Sequence, residues 1–146
     1  MNFKFEIMTP AQRLEKYGIR PSVQRLAIMD YLMTHNTHPT VDTIYQDLLP
    51  VIPTLSRTTV YNTVETLVEN GATRSLTIDN RNAHYDALLE PHSHFMCRQC
   101  GRIIDMPLHF DVMDDIPEPG GSVDSVNIYY HGLCHVCNSA TKCQEK

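Results

Sequence analysis

Between His92 and Asp105 the stretch "HSHFMCRQCGRIID" places two histidines, two cysteines and an aspartate within fourteen positions. These are side chains that bind transition metals, the thiolates being soft donors and the imidazoles and carboxylate harder ones. A second pair, Cys134 and Cys137 in "CHVC", repeats the spacing of Cys97 and Cys100 in "CRQC". Each pair lets two sulfurs approach one ion from a tight turn. Two such turns complete a tetrahedral, closed, structural zinc site. The 33 residues between the pairs exceed the usual zinc-ribbon gap, which predicts a small domain folded between the knuckles. The competing readings are four buried free thiols or a redox dithiol. The dithiol is disfavoured because neither pair opens a βαβ unit. Cys143 is the odd cysteine and reads as a bystander.

The nitrogen and oxygen donors form a second constellation. His92 and His94 are two apart, so on a strand both imidazoles share one face. If a hairpin turns between Gln99 and Cys100, position 94 lies opposite Asp105. Three such donors make an incomplete site for a borderline or harder divalent ion. The remaining ligands would come from among His35, His38, His84, Asp86, His109, His131 and His135. Spacing alone makes any one of these more often a surface residue than a ligand.

These donors need elements to position them. Thr9 and Pro10 start a first helix, and Gly18 stops it. Pro21 opens a second, with Leu26, Met29, Leu32 and Met33 at helical spacing. Thr40 caps a third, with Asp42 in its first turn, Ile44, Leu48 and Leu49 on its apolar stripe, and Pro50 at its end. Ser56 caps a fourth, with Val60, Val64, Leu67 and Val68 as its stripe and Gly71 as terminator. "TRSLTI" and "AHYDA" then read as two short strands around the turn "DNRN". Helices followed by a two-stranded wing are the layout of a winged helix-turn-helix, with the fourth helix in the recognition position. The alternative is a small helical domain with a hairpin and no DNA role. "ALLEPHS" at 87–93 is the natural hinge, dividing the chain into domains 1–88 and 89–146. Beyond it the pattern predicts strands at 93–97 and 102–106, a short helix at 108–116, a "PEPGG" loop, and a strand at about 123–131. The fold class is therefore α+β, a winged helix-turn-helix followed by a small α/β domain.

Composition bounds the function. With 146 residues, one ordinary domain or two small ones fit. No apolar run approaches a membrane span. The start, "MNFKFEIMTPAQR", lacks an apolar core and a cleavage site, so a cytoplasmic protein is expected. Residues 1–75 carry seven basic and seven acidic side chains, while residues 76–146 carry five and ten. The whole net charge of −5 therefore sits in the second half. A broad basic patch is not indicated, although a neutral domain still presents a few arginines on one face.

"GIRPSVQRLAIMDYL", "HPTVDTIY", "SRTTVYNTVETLVENG", "HSHFMCRQCGRIID" and "YYHGLCHVC" together resemble the ferric uptake regulator family, in order and along nearly the whole chain. The resemblance implies a winged helix, a dimerisation domain and a homodimer that represses transcription when metal-loaded. It implies structural zinc at Cys97, Cys100, Cys134 and Cys137, and regulatory iron or manganese at His38, Asp86, His92, His94 and Asp105. Both acidic positions, commonly glutamates in the iron-uptake branch, are aspartates here, which is similar to the peroxide-sensing branch. That branch implies oxidation at His38 and His92. Val126 and Ser93 stand where a third metal site would need ligands, so that site is not expected. For double-stranded DNA the resemblance points to Thr59, Tyr61 and Asn62, and charge and place add Arg20, Arg57 and Arg81 as phosphate contacts.

The expected function is a metal-dependent dimeric repressor of a palindromic operator, sensing peroxide by iron-catalysed histidine oxidation. The rivals are an iron-uptake, zinc- or manganese-responsive regulator of the same family, a zinc enzyme built on His92, His94 and Asp105, or a zinc-stapled interaction module. An enzyme is not expected. Glu90 is the only nearby acid or base, and five protein ligands would leave little room for substrate.

Overall fold

The computed structural model describes residues 7–108 and 120–142. The chain forms two compact units, Met1–Leu89 and Glu90–Lys146.

In the first unit every helix begins at a hydroxyl cap. Helix α1, Pro10–Lys16, opens with a capping box. The Thr9 side chain accepts from the Gln12 N–H, and the Gln12 side chain accepts from the Thr9 N–H. Helix α2 spans Val23–Thr34 and is capped by Ser22, whose hydroxyl accepts from the Arg25 N–H. It therefore starts two residues later than Pro21 suggests, because the side-chain cap at Ser22 fixes the first turn. Helix α3, Val41–Leu48, is capped by Thr40, and helix α4, Arg57–Glu69, by Ser56. Such a cap contributes about 1 kcal/mol. Gly71, at φ 80°, turns the chain out of α4 in a left-handed conformation that costs glycine little.

The apolar stripes of these helices meet in one core. Leu14, Ile28, Met29, Ile44, Val60, Val64 and Leu67 are all fully buried. Strands β1, Arg74–Leu76, and β2, His84–Asp86, pair antiparallel with Ser75 opposite Tyr85, forming the wing. Arg13 of α1 ties the base of the wing to the core. One of its terminal nitrogens donates to the carbonyls of Ala72 and Ala87 at 3.1 and 3.2 Å. Four helices and a hairpin in this order are a winged helix-turn-helix, as the pattern of turns and stripes predicts.

The second unit contains a three-stranded sheet. Strands β3, Ser93–Cys97, and β4, Ile103–Met106, pair antiparallel, while β5, Tyr129–Gly132, runs parallel to β3 on its other edge. The expected strand at 123–131 is thus mostly absent. Residues 122–128 lie outside any strand, and pairing starts only where the Ile128 carbonyl accepts from the His94 N–H. Helix α5, His135–Lys142, follows and was not anticipated. The expected helix at 108–116 and most of the "PEPGG" loop lie outside the described residues, as do His109 and Cys143. Among the described residues no helix is long and apolar enough to cross a membrane.

Candidate metal centres and nucleic-acid face

The cysteine site is built from the turn after β3 and the start of α5. Gly101, at φ 74°, closes the first knuckle, and its N–H donates to the Cys97 carbonyl at 2.9 Å. The Cys134 N–H donates to the Cys97 sulfur at 3.3 Å. The sulfurs of Cys97, Cys100, Cys134 and Cys137 all lie within 4.8 Å of one another. Cys100 and Cys134 are 3.8 Å apart. Sulfurs bound tetrahedrally to zinc at about 2.3 Å lie about 3.8 Å from each other, so this spacing fits the ion. The local electrostatics fit as well. Backbone N–H groups of Cys100 and Cys134 hold the Cys97 thiol down to about 6. The thiol of Cys137 is pushed up to about 12, chiefly by its contact with Cys134. Without a cation the four sulfurs cannot all be thiolates, and a divalent ion removes that conflict. The four cysteines are positioned to hold zinc.

On the adjoining hairpin three nitrogen and oxygen donors converge. His94 pairs in register with Asp105, as the position of the knuckle predicts. The Nε2 atoms of His92 and His94 are 2.9 Å apart, and Asp105 Oδ1 lies 3.3 and 3.4 Å from them. Ligand atoms about 2.1 Å from one ion sit about 3.0 to 3.4 Å apart in octahedral or tetrahedral geometry. His92 Nδ1 is 2.6 Å from the Glu90 carbonyl. A carbonyl only accepts, so the proton sits on Nδ1 and leaves the Nε2 lone pair pointing at the other donors. Glu90 thus serves this hairpin through its backbone oxygen.

In the first unit, His38 and Asp86 are both buried, with Nε2 and Oδ2 3.7 Å apart. Asp86 is oriented by its other oxygen, which accepts from the Leu88 N–H at 2.8 Å. His38 sits at φ 53°, a conformation uncommon for any residue but glycine. Three consecutive residues of β2 address this turn. The His84 ring contacts the His38 carbonyl at 2.7 Å, the Tyr85 N–H donates to the Pro39 carbonyl at 3.0 Å, and Asp86 faces the His38 imidazole.

The other histidines named from the sequence are placed differently. His35 stacks on Tyr31 with centroids 4.1 Å apart, and its Nδ1 meets the Tyr31 carbonyl. Both ring nitrogens of His84 are engaged, with the His38 carbonyl and with Asp79. His131 and His135 are exposed.

The outer face of α4 presents Arg57, Tyr61 and Asn62 to solvent, with Tyr61 52% exposed. Thr59 is half-buried, and its hydroxyl lies 2.9 Å from that of Ser56 within the cap. Arg57 is held in place. Its Nε donates to Asp42 at 2.8 Å, and its guanidinium lies 4.3 Å over the Tyr45 ring. Both contacts come from α3, and the Arg57 side chain remains 59% exposed. Asp42 and Tyr45 are therefore supports that sequence spacing did not single out. Arg20 and Arg81 are exposed. The turn carrying Arg81 is ordered by its N–H, which donates to Asp79 at 2.9 Å.

A model of the ferric uptake regulator family matches residues 16–120. The chain belongs to that family. It is 33% identical over 129 residues to the peroxide-responsive repressor PerR of Staphylococcus epidermidis, covering 85% of each protein. It is 30% identical over 138 residues to the peroxide operon regulator of Bacillus subtilis, covering 91% of this chain and 94% of that protein. Among solved structures, the ferric uptake regulator from Pseudomonas aeruginosa with manganese matches at a TM-score of 0.69 and 19% identity, covering 88% of this chain and 99% of that one. At that identity the likeness speaks for the ferric uptake regulator fold alone.

Proposed function

We propose that the protein is a metal-dependent, dimeric transcriptional repressor that senses peroxide by oxidation of a histidine at its regulatory site. The observation that carries this is the convergence of His92, His94 and Asp105 on one hairpin. It is supported by the buried His38–Asp86 pair and by relatives whose names refer to peroxide. In this reading the five residues are the regulatory donors to Fe(II) or Mn(II), while the four cysteines hold zinc.

Ferrous iron in such a set supplies a reductant for hydrogen peroxide. The chain supplies the target. Imidazole is the most oxidisable ligand present, and His38 and His92 are the two rings expected to react. In net terms a ring C–H gains one oxygen, two electrons pass from the ring to peroxide, and peroxide leaves as water. The added oxygen weakens the ring nitrogen as a donor, and the set loses its hold on the ion. Five protein donors leave little room for a substrate, so the set regulates rather than catalyses.

The first unit binds the operator, with α4 as recognition helix. Tyr61 and Asn62 reach base edges or sugars, and Arg20, Arg57 and Arg81 meet phosphates. The second unit dimerises the protein, and two-fold symmetry matches a palindromic operator in the cytoplasm. A near-complete switch by metal needs about 5 kcal/mol of differential affinity between states.

The test is peptide mapping after one equivalent of peroxide on the Fe(II) and Mn(II) forms. A gain of one oxygen on His38 or His92 with iron only, together with loss of operator binding, is expected. Cysteine oxidation with zinc loss appearing first, or an iron form that still binds the operator, would mark an iron-uptake regulator instead.

A further inference from the structure

We infer that His84 is a positioning residue for His38, a brace that fixes the backbone of a metal ligand without touching the metal. The inference rests on the proposal that His38 is a regulatory ligand. His38 has a left-handed φ of 53° and precedes Pro39. That conformation is uncommon for a residue with a β-carbon, and a following proline favours extended backbone instead. One side-chain grip on its backbone is His84, whose Nδ1 lies 2.7 Å from the His38 carbonyl. The ring is anchored at its far end, where Nε2 lies 3.0 Å from Asp79 Oδ2.

The brace has a second consequence. The other oxygen of Asp79 accepts from the Arg81 N–H at 2.9 Å, which orders the turn at the tip of the wing. One carboxylate thus anchors the turn carrying Arg81 and, through His84, the backbone of His38. A side chain named from the sequence as a possible ligand has both nitrogens committed to this chain instead.

Groups that orient metal ligands typically change metal affinity by about 10- to 100-fold when removed. The experiment uses the full-length, zinc-loaded protein and Mn(II) as the probe, with free Mn(II) measured by electron paramagnetic resonance and the thermal midpoint read before Mn(II) is added. His84→Phe keeps a ring but loses both polar ends, and manganese affinity should fall about 10- to 100-fold. His84→Asn sets an amide near the place of Nδ1 and should recover most of that loss. His84→Gln sets its amide near the place of Nε2 and should behave like His84→Phe. Wild-type manganese affinity in His84→Phe overturns the brace, and so does rescue by Gln that equals rescue by Asn. If His84→Phe lowers the thermal midpoint, the Asn and Gln variants still decide the matter, because only the brace requires them to differ. His38→Ala run alongside separates the two claims. Wild-type affinity in His38→Ala refutes the ligand assignment, whereas loss in His38→Ala with none in His84→Phe refutes the brace alone.

Discussion

Nε2 of His94 and Oδ1 of Asp105 stand 3.4 Å apart across two paired strands. Their pairing is set by the tight Cys97–Cys100 turn between them, so the sulfur site and the register of the nitrogen and oxygen donors share one hairpin. His92 brings its Nε2 to 3.3 Å from the same oxygen. Asp105 is therefore the common neighbour of both imidazoles. Removing it takes away the one carboxylate among the three donors of this hairpin, and hard divalent ions favour oxygen ligands.

Asp105→Ala should lower Mn(II) affinity by at least about tenfold while zinc content and the dimer persist. The readouts are metal content after dialysis and size-exclusion chromatography. Unchanged manganese affinity would remove Asp105 from the donor set.

Cys97→Ser should lose zinc. Cys97 is fully buried among the sulfurs and accepts from the Cys134 N–H, so it is both a ligand and a packing element. Zinc binding in such a site is worth about 10–16 kcal/mol and is largely folding free energy. The second unit should therefore unfold in the variant, which protease sensitivity beyond Leu89 would report. A zinc-free Cys97→Ser protein that resists protease as the wild type does would show that the ion is dispensable to the fold.

Tyr61→Ala should weaken operator binding by about tenfold and leave thermal stability nearly unchanged, because the ring is half-exposed and lies outside the core. Fluorescence anisotropy with an operator duplex at fixed salt measures it. Equal affinity would move the recognition surface away from this part of α4.

The helical half of the fold was legible because its signals are local. Thr9, Thr40 and Ser56 each accept from a backbone N–H three residues on, and a cap of that kind is written in adjacent residues. The His94–Asp105 register was legible for the same reason, since a knuckle of fixed length sets it. The parallel pairing of β5 on β3 was not, because His94 and Tyr129 meet only after a long crossover. Nor was α5, which starts directly after Cys134 and carries Cys137 in its first turn, a Cys-x-x-Cys spacing that reads equally well as a loop knuckle. The left-handed φ of His38 had no signal either. A histidine before proline is expected in extended backbone, and the grip from β2 overrides that preference.

Alkaline pH should expose a contribution from Tyr85. Its ring is buried at the base of the wing, and its hydroxyl donates to Glu65 at 3.2 Å. Burial first, and then the neighbouring Glu65 carboxylate, push the phenol up to about 12. In the unfolded chain it titrates near 10. The folded state therefore holds the proton more tightly. The stability so gained is fully present below about pH 10 and is lost as pH rises toward about 12. Tyr85→Phe cannot ionise, so its stability should fall less steeply across that window. At neutral pH the variant should be less stable by about 1 kcal/mol, the usual worth of one hydrogen bond. Tyr31 is also raised, by burial and by its bond to Asp47, so some slope should remain in the variant. Urea unfolding from pH 8 to 12, with zinc held saturating, measures both terms. Identical slopes for wild type and Tyr85→Phe above pH 10 would mean that the phenol ionises without cost in the fold and that the Glu65 contact is not made in solution.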